Sequence, residues 1–442
     1  MNNPTVLEVF GLLAMAAVLA LLCLFFALRA AKCQRLIDNL PTSKTTGVFI
    51  GLVDLKGTAE AEQPLVSYLA GQNCVYYQWQ VDEHWSRTVT ETYADDKGQT
   101  GTRTRTETGW TTVARGGEET VFYLKDDCGA VRILPAKAKV EPVMTFDQTC
   151  GMANPLYYAK GPAAGIINSD FRRRFVERAI PLHAQLYVIG HAREREDIVA
   201  PEIAYDAKEG IFLISTRSEE QVSRGYRWQF WLLGVFGVTS AIGVLVVRDV
   251  QLHRRMDEHI ATYVFAGSAY LVAWLLGWIG MAYNSMVDLR QRVRRAWANI
   301  DVQLKRRVDL IPNLVNAVQG MRNYEQTVQT EIAQLRAQLT ATPPGEPGSD
   351  HQAVAAMVGL VIERYPELRA NDTFLNLQQN LVDTEQRIAL ARGYFNSIAT
   401  FYNIRLQVLP DRFICALGMM KPQALMCAGN FERAPVEVKF AA

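Results

Sequence analysis

Three stretches of the chain run almost without a polar break: Val9–Leu28, Trp228–Val247 and Ile260–Tyr283, and none of them contains Asp, Glu, Lys or Arg. At ~1.5 Å rise per residue each is long enough to cross a ~30 Å hydrocarbon layer, which predicts transmembrane helices at 4–30, 228–247 and 260–283. A cleaved leader is disfavoured for the first, because "MNNPTVLE" carries no positive charge and the apolar run is too long. Tyr226, Trp228 and Trp231 on the second run, and Trp278 and Tyr283 on the third, stand near the ends, where amphipathic rings prefer the interface. Ala269, Ala273 and Gly277 form a small-residue row suited to close helix contact. The uncharged interiors argue against a pump or secondary transporter, which needs ionisable groups in the membrane.

Between the first two runs, residues 40–227 read mainly as strands. "GVFIGLVDLKG", "CVYYQWQV", "ETVFYLKD" and "HAQLYVIGHA" are short apolar or alternating segments separated by Gly-, Pro- and Asp-rich breaks. "RTVTETYADDKGQTGTRTRTETGW" alternates Thr with other residues on both sides of "ADDKGQ" and predicts a long polar hairpin, a solvated arm or a docking edge. In "FRRRFVER", Phe171 and Phe175 lie one helical turn apart with Arg172, Arg173 and Arg174 between them. The bland reading is a short surface helix, and the functional one is contact with anionic lipid head groups.

After the third run the apolar period changes. Val293, Trp297, Ile300, Leu304, Val308, Ile311, Val315 and Val318 follow steps of three and four, predicting a long helix continuous with the span and kinked at Pro312. A second helix is expected around Tyr324–Leu339, a loop at 342–350, and a shorter helix ending before Pro366. Phe374, Leu377, Leu381, Thr384, Ile388, Ala391, Phe395, Ile398 and Tyr402 then form a coiled-coil-like seam. It packs either within a bundle of this chain or between copies of it.

The formal net charge is +1, so charge matters only locally. Arg29, Lys32 and Arg35 follow the first run; Arg217, Arg224 and Arg227 precede the second; Arg290, Arg292, Arg294 and Arg295 follow the third. In the hairpin loop Arg248, Arg254 and Arg255 are offset by Asp249, Asp257 and Glu258. This distribution places the N-terminus and the hairpin loop outside and both large domains in the cytoplasm. Arg172–Arg174 and Arg290, Arg292, Arg294 and Arg295 are the candidates for lipid head-group contact. The chain has seven cysteines in no CxxC pairing, and its six histidines form no i, i+4 pair, so the thiols read as structural, with no metal and no cofactor expected. Asp301, Arg306, Asp309, Asn313 and Glu385 read as bundle-internal pairing groups. No nucleophile stands with a base, and no broad basic face suggests nucleic acid.

Two resemblances add to this. "GVFIGLVDLKGTAE", "PLVSYLAGQNCVYYQWQVDEHW", "WTTVARGGEETVFYLKDDCGAVRI", "ERAIPLHAQLYVIGHARE" and "FLISTRSEEQV" together resemble the GIDE, or Beside-A-Membrane, domain. That family's best-known members are membrane ubiquitin ligases whose catalysis comes from a separate zinc-binding RING. Cys415 and Cys427 near the end of this chain have no paired His and cannot supply the roughly eight ligands a RING needs. "YNSMVDLRQRVRRAWANIDVQLKRRVDLIPNLVNAVQG", "YPELRANDTFLNLQQNLVDTEQRIALARGYFN", "YNIRLQVLP" and "PVEVKF" closely resemble the LemA family of membrane-anchored helical bundles, which implies no catalytic residue. The expectation is a multidomain membrane protein with three transmembrane helices, a mainly-β GIDE-like domain at 40–227 and an all-α LemA-like long-helix bundle at 284–440. It would sit in the bacterial inner (plasma) membrane and act not as an enzyme but as a scaffold or adaptor for protein partners or lipid, with association between copies as a further option. The alternative is an accessory subunit of a membrane protease or ligase system supplied by another chain.

Overall fold

The computed structural model describes residues 6–94, 100–195, 200–207, 210–252, 254–319 and 372–426. In chain order, helix α1 (Val6–Asp38) is followed by β1 (Thr42–Ser43), β2 (Gly51–Glu60), β3 (Leu65–Val66), β4 (Asn73–Ala94), β5 (Thr100–Glu119) and β6 (Phe122–Lys125). Next come β7 (Ala130–Ile133), β8 (Lys139–Glu141), β9 (Val143–Gly151), a single helical turn α2 (Leu156–Ala159), β10 (Ser169–Pro181), β11 (Gln185–Glu194), β12 (Pro201–Ala204) and β13 (Leu213–Ser215). Helices α3 (Glu219–Gln251), α4 (Ile260–Gln319), α5 (Asp372–Arg405) and α6 (Asp411–Leu417) complete the described chain. The contacts divide it into a β unit, Thr42–Ser218, and a helical unit built from Met1–Pro41 and Glu219–Ala442. The β unit ends at Ser218 and not at residue 227, because helix α3 already begins at Glu219.

In the β unit, β2, β6, β7, β12 and β11 pair in sequence and β11 returns to β2, which closes the strands into a ring. Closure removes the open edges that would otherwise invite a further strand. Strict alternation fills its interior: Phe122 and Leu124 on β6, and Val131 and Ile133 on β7, point into a core shared with Leu55, Val188 and Ile203. Gly190 is required where β11 crosses this core, since a Cβ there would lie 2.5 Å from Ile203 and 2.9 Å from Phe212.

The second sheet runs β3-β4-β10-β9, with β5 on the free side of β4. The stretch that spacing suggested as a surface helix, "FRRRFVER", is part of β10. Arg173, Phe175, Glu177 and Ala179 are buried while Arg172, Arg174 and Arg178 are exposed, a period of two. The helical reading fails because two of the inward positions carry charge, which hides the alternation from an apolar-periodicity search. The predicted hairpin is present as β4 and β5. Its pairing with β10 stops at Trp85, and beyond that the two strands continue alone, with Thr88 opposite Thr106, Thr90 opposite Thr104 and Thr92 opposite Thr102.

In the helical unit, stretches at Ala14–Asp38, Glu219–Gln251 and Asp257–Arg306 are long and apolar enough to cross a membrane. Their close contact does not use the row predicted on the third: Ala269 and Ala273 are exposed, and only Gly277 meets a neighbour, Leu28 of α1. The small residues that matter are Ala16, Ala20, Cys23, Ala27, Ala30 and Ala31 on α1, all buried, and Gly234 and Gly237 on α3, which receive Trp274 and Tyr270 of α4. Phe230 stacks on Trp274 at 4.9 Å between them. Helix α4 runs unbroken for 60 residues and passes through Pro312. The elements expected within 320–371 lie outside the described residues.

Candidate functional site

Two polar constructions stand out because they bury charge. The first is in the β unit, on the covered face of the second sheet. Arg173 is fully buried, and its guanidinium serves five acceptors at once. Its Nε donates to Glu83 Oε2 at 3.0 Å, Nη1 to the carbonyls of Tyr157 and Pro162 at 2.9 and 2.8 Å, and Nη2 to the carbonyl of Ala164 at 3.2 Å. The fifth is the Tyr157 ring, over which it lies at 3.9 Å. Glu83, also fully buried, accepts in addition from the hydroxyls of Ser169 and Tyr157. Bidentate and multidentate charge-assisted bonding of this kind is what a planar guanidinium does better than an ammonium. Here it pins an excursion, residues 152–168, against the sheet.

A second buried carboxylate repeats the logic. Glu177 accepts from the backbone N–H groups of Leu69 and Ala70 and from the Thr145 hydroxyl, fixing the turn before β4. On the opposite, open face Gln78, Gln80, Asp82, Met144, Arg174, Val176 and Arg178 line a shallow groove of about 220 Å³. Arg174 is held there by both oxygens of Asp147, which its cation keeps below the usual carboxylate range.

The second construction ties the helical unit together where the apolar runs end. Arg35 of α1 grips Asp411 of α6 through both nitrogens, at 2.8 and 3.2 Å, and Asp411 is only 2% exposed. Arg405 of α5 reaches the same carboxylate at 3.5 Å and donates to Asn39 Oδ1 at 3.0 Å, while the Asn39 amide donates to Ser285 of α4. Arg35 also lies over the Trp278 ring at 5.2 Å. Asp38 accepts from Ser223 of α3 at 2.6 Å. Five helices thus meet through polar groups that satisfy one another.

A third device follows on α5. Asn403 brackets Gln423, donating to its carbonyl and accepting from its N–H, both at 2.8 Å, and Asn396 does the same to Met426 at 3.1 and 2.8 Å. Two helical turns span ~10.5 Å and three extended residues ~10 Å, so the spacing of the asparagines matches that of the strand-like segment they hold.

The residues predicted for lipid contact divide. Arg172 and Arg174 are exposed, as are Arg294 and Arg295, whereas Arg290 is half-buried. Arg173 is excluded from lipid contact by its burial against Glu83, and Arg292 is buried beside Asp288, to which it donates at 2.9 Å. Of the predicted seam, Ile388, Phe395 and Tyr402 are buried, as are Thr384, Ala391 and Ile398. They face α4, whose Met286, Leu289, Val293, Ala296 and Ile300 are buried in turn, with Trp297 and Phe395 rings 5.7 Å apart. The side chains of Phe374, Leu377 and Leu381 lie outside the described residues. Asp301 and Arg306 face outward rather than into the bundle.

Sequence reasoning missed Glu83, Glu177, Asn39, Asp411, Asn396 and Asn403. The only available signal was a charged or amide residue at an inward position of an otherwise regular period. Asp126, Asp127 and Cys128 lie close enough to hold a cation, but Asp126 already accepts from Thr45, Cys128 and Gly129, and Asp127 pairs with Lys44 at 2.5 Å. Burial pushes the Cys74 thiol up to about 11, so it is an inert core thiol.

Residues 296–440 match the family model described as the LemA family, and residues 90–247 match GIDE, described as E3 Ubiquitin ligase. The chain is similar to magnetosome protein MamQ of Magnetospirillum gryphiswaldense, 25% identical over 198 residues, which are 38% of this chain and 73% of that protein. It is similar to magnetosome protein MamQ 2 of Paramagnetospirillum magneticum, 23% identical over 171 residues, 32% of this chain and 63% of that protein. It is also similar to protein LemA of Metamycoplasma hominis, 22% identical over 159 residues, 35% of this chain and 73% of that protein. No solved structure matches it.

Proposed function

We propose that this LemA family protein, which carries a GIDE region ahead of its LemA region, is a membrane-anchored scaffold or adaptor. The observation that carries the proposal is the buried junction of Arg35, Asn39, Ser285, Arg405 and Asp411. It locks the ends of the apolar helices to the helices behind them, and every charged group in it is spent on another group of the chain. Such a construction transmits position and leaves the outer helical faces for partners. Burial of a paired charge is costly and is retained where it fixes geometry.

In this reading three helices span the bilayer. The β unit follows the first span and the long-helix body follows the third, so both lie on the same side, and the positive charge after the first and third runs makes that side the cytoplasm. The protein works without chemistry of its own. The relatives' names, two for the magnetosome and one simply LemA, share no process, and none is carried over.

Crosslinking of the full chain in intact membranes, read by mass spectrometry and paired with purification in mild detergent, tests this. Crosslinks between copies of the parent chain support a scaffold. A partner enzyme recovered at fixed stoichiometry replaces it with the accessory reading, for which the GIDE match to a ligase family is the supporting observation. A chain that remains single and uncrosslinked overturns both.

A further inference from the structure

Beyond Trp85 the β4–β5 hairpin leaves its sheet, and the outer edge of β5 has no strand beside it among the described residues. One bond fixes the direction of its backbone groups. The Ser86 N–H donates to the Asn168 carbonyl at 2.9 Å, on the β10 side of β4. Ser86 therefore turns its polar groups away from β5, and Thr108, directly opposite, turns its own away from β4. Alternation extends this to Thr102, Thr104, Thr106 and Trp110, since the register runs without a shift from Asp82 opposite Thr112 to Ala94 opposite Thr100. Their N–H and C=O groups form a straight outward ladder ~27 Å long.

Natural edges of this kind are guarded by proline, a bulge or repelling charge. Gly101–Thr111 holds no Pro and no bulge. Its charges, Arg103, Arg105 and Glu107, are complementary to a second copy of the same edge. With two copies antiparallel about Thr106, Arg105 of each stands opposite Glu107 of the other, Thr104 opposite Thr108, and Thr102 opposite Trp110. Arg103 stands opposite Gly109, where a Cβ would lie 2.8 Å from the Trp85 ring, so its guanidinium meets that ring.

Glu107 then lies between Arg105 of the other copy and Arg87 of its own hairpin, which donates to it at 2.7 and 2.9 Å. The adjacent registers lose this match. A slide of one residue sets outward-facing backbone against inward-facing and breaks the ladder. A slide of two, in one direction or the other, puts Arg105 against Arg105 or Glu107 against Glu107. The β4 edge offers less, because the Ser86 N–H is already bonded to Asn168. Arg103, Thr104, Arg105, Thr106, Thr108 and Trp110 are all exposed.

We propose that two copies of this chain join through β5, edge to edge and antiparallel about Thr106, so that their second sheets become one. About ten hydrogen bonds form across the two-fold axis. The inference deepens the scaffold reading and rests on it for self-association.

The full chain in isolated membranes, carrying Thr106→Cys, Thr104→Cys or Val89→Cys, is oxidised mildly and compared with the parent on a non-reducing gel. Facing Cα atoms of a hydrogen-bonded pair are ~5.5 Å apart, within disulfide range, whereas position 104 lies ~14 Å from its own copy. Thr106→Cys should give a reducible dimer several-fold above Thr104→Cys and the parent, and Thr104→Cys combined with Thr108→Cys should restore it. Adding Arg105→Glu to Thr106→Cys should lower the yield several-fold. Adding Glu107→Arg and Arg87→Glu as well should recover it, because the hairpin keeps its own pair and the copies again present opposite charges.

Equal yields from Thr104→Cys and Thr106→Cys, a dimer from Val89→Cys in place of Thr106→Cys, indifference to Arg105→Glu, or a disulfide from Thr106→Cys to a different protein would each overturn the proposal. Copies that crosslink through a general reagent while Thr106→Cys stays monomeric remove this interface and leave the scaffold standing. A chain that is single by both measures overturns both.

Discussion

Arg173 shows how much one side chain organises. Among the described residues it donates to the carbonyls of Tyr157, Pro162 and Ala164 together, and its partner Glu83 is fully buried. Arg173→Ala should therefore cost ~3–5 kcal/mol, the toll of leaving a buried carboxylate uncompensated. It should show as a lower unfolding midpoint of the β unit in a denaturant titration followed by tryptophan fluorescence. Adding Glu83→Gln should recover only part, because the carbonyls of the excursion still lack a donor. A double variant as stable as the parent would mean that the clamp holds nothing. In sequence these residues were legible as a basic cluster and no further. Three consecutive arginines look alike on paper, and only the pairing of β10 with β4 sends the middle one inward and its neighbours out.

At the scale of elements, helices announced themselves better than strands. The seam through Ile388, Phe395 and Tyr402 was readable because helical apolar spacing persists over several turns, and it is satisfied by α4 of the same chain. Ile388→Asp should abolish that packing, since it strands a carboxylate among Leu and Val. The expected result is loss of the cooperative thermal transition by circular dichroism in detergent, and an unchanged melting temperature would show that the seam is not core. The asparagine brackets were not readable, because an amide at an outward-looking helical position has no distinctive spacing until its strand-like partner is known. Asn396→Ala with Asn403→Ala removes hydrogen bonds worth ~0.5–1.5 kcal/mol each. The Gln423 and Met426 amides should then lose protection in hydrogen exchange, while the α5 backbone keeps its own. The strand order and the closure of the ring were also hidden, since pairing between distant segments such as β2 and β11 leaves no local trace.

For the molecule as a whole, the junction around Asp411 is the point of greatest leverage. Asp411→Ala leaves Arg35 without its carboxylate and frees α6 from α1. Cys415, buried beside it with a thiol held up by that burial, should then react with maleimide in intact vesicles, whereas in the parent it stays protected and the half-buried Cys33 and Cys128 serve as internal references. Equal protection of Cys415 in both proteins would show that α6 is held by other means. The three long apolar helices were plain in the sequence, but what binds them to the rest was not. Helix α4 is unbroken from Ile260 to Gln319. Its 60 residues amount to ~90 Å of rod, of which the bilayer needs only about a third. Bilayers of different thickness set such a rod at different tilts, and a change of ~5° at one end swings the far end sideways by ~5 Å. In the spanning reading, a spar of this length would carry such a change of tilt well beyond the membrane surface.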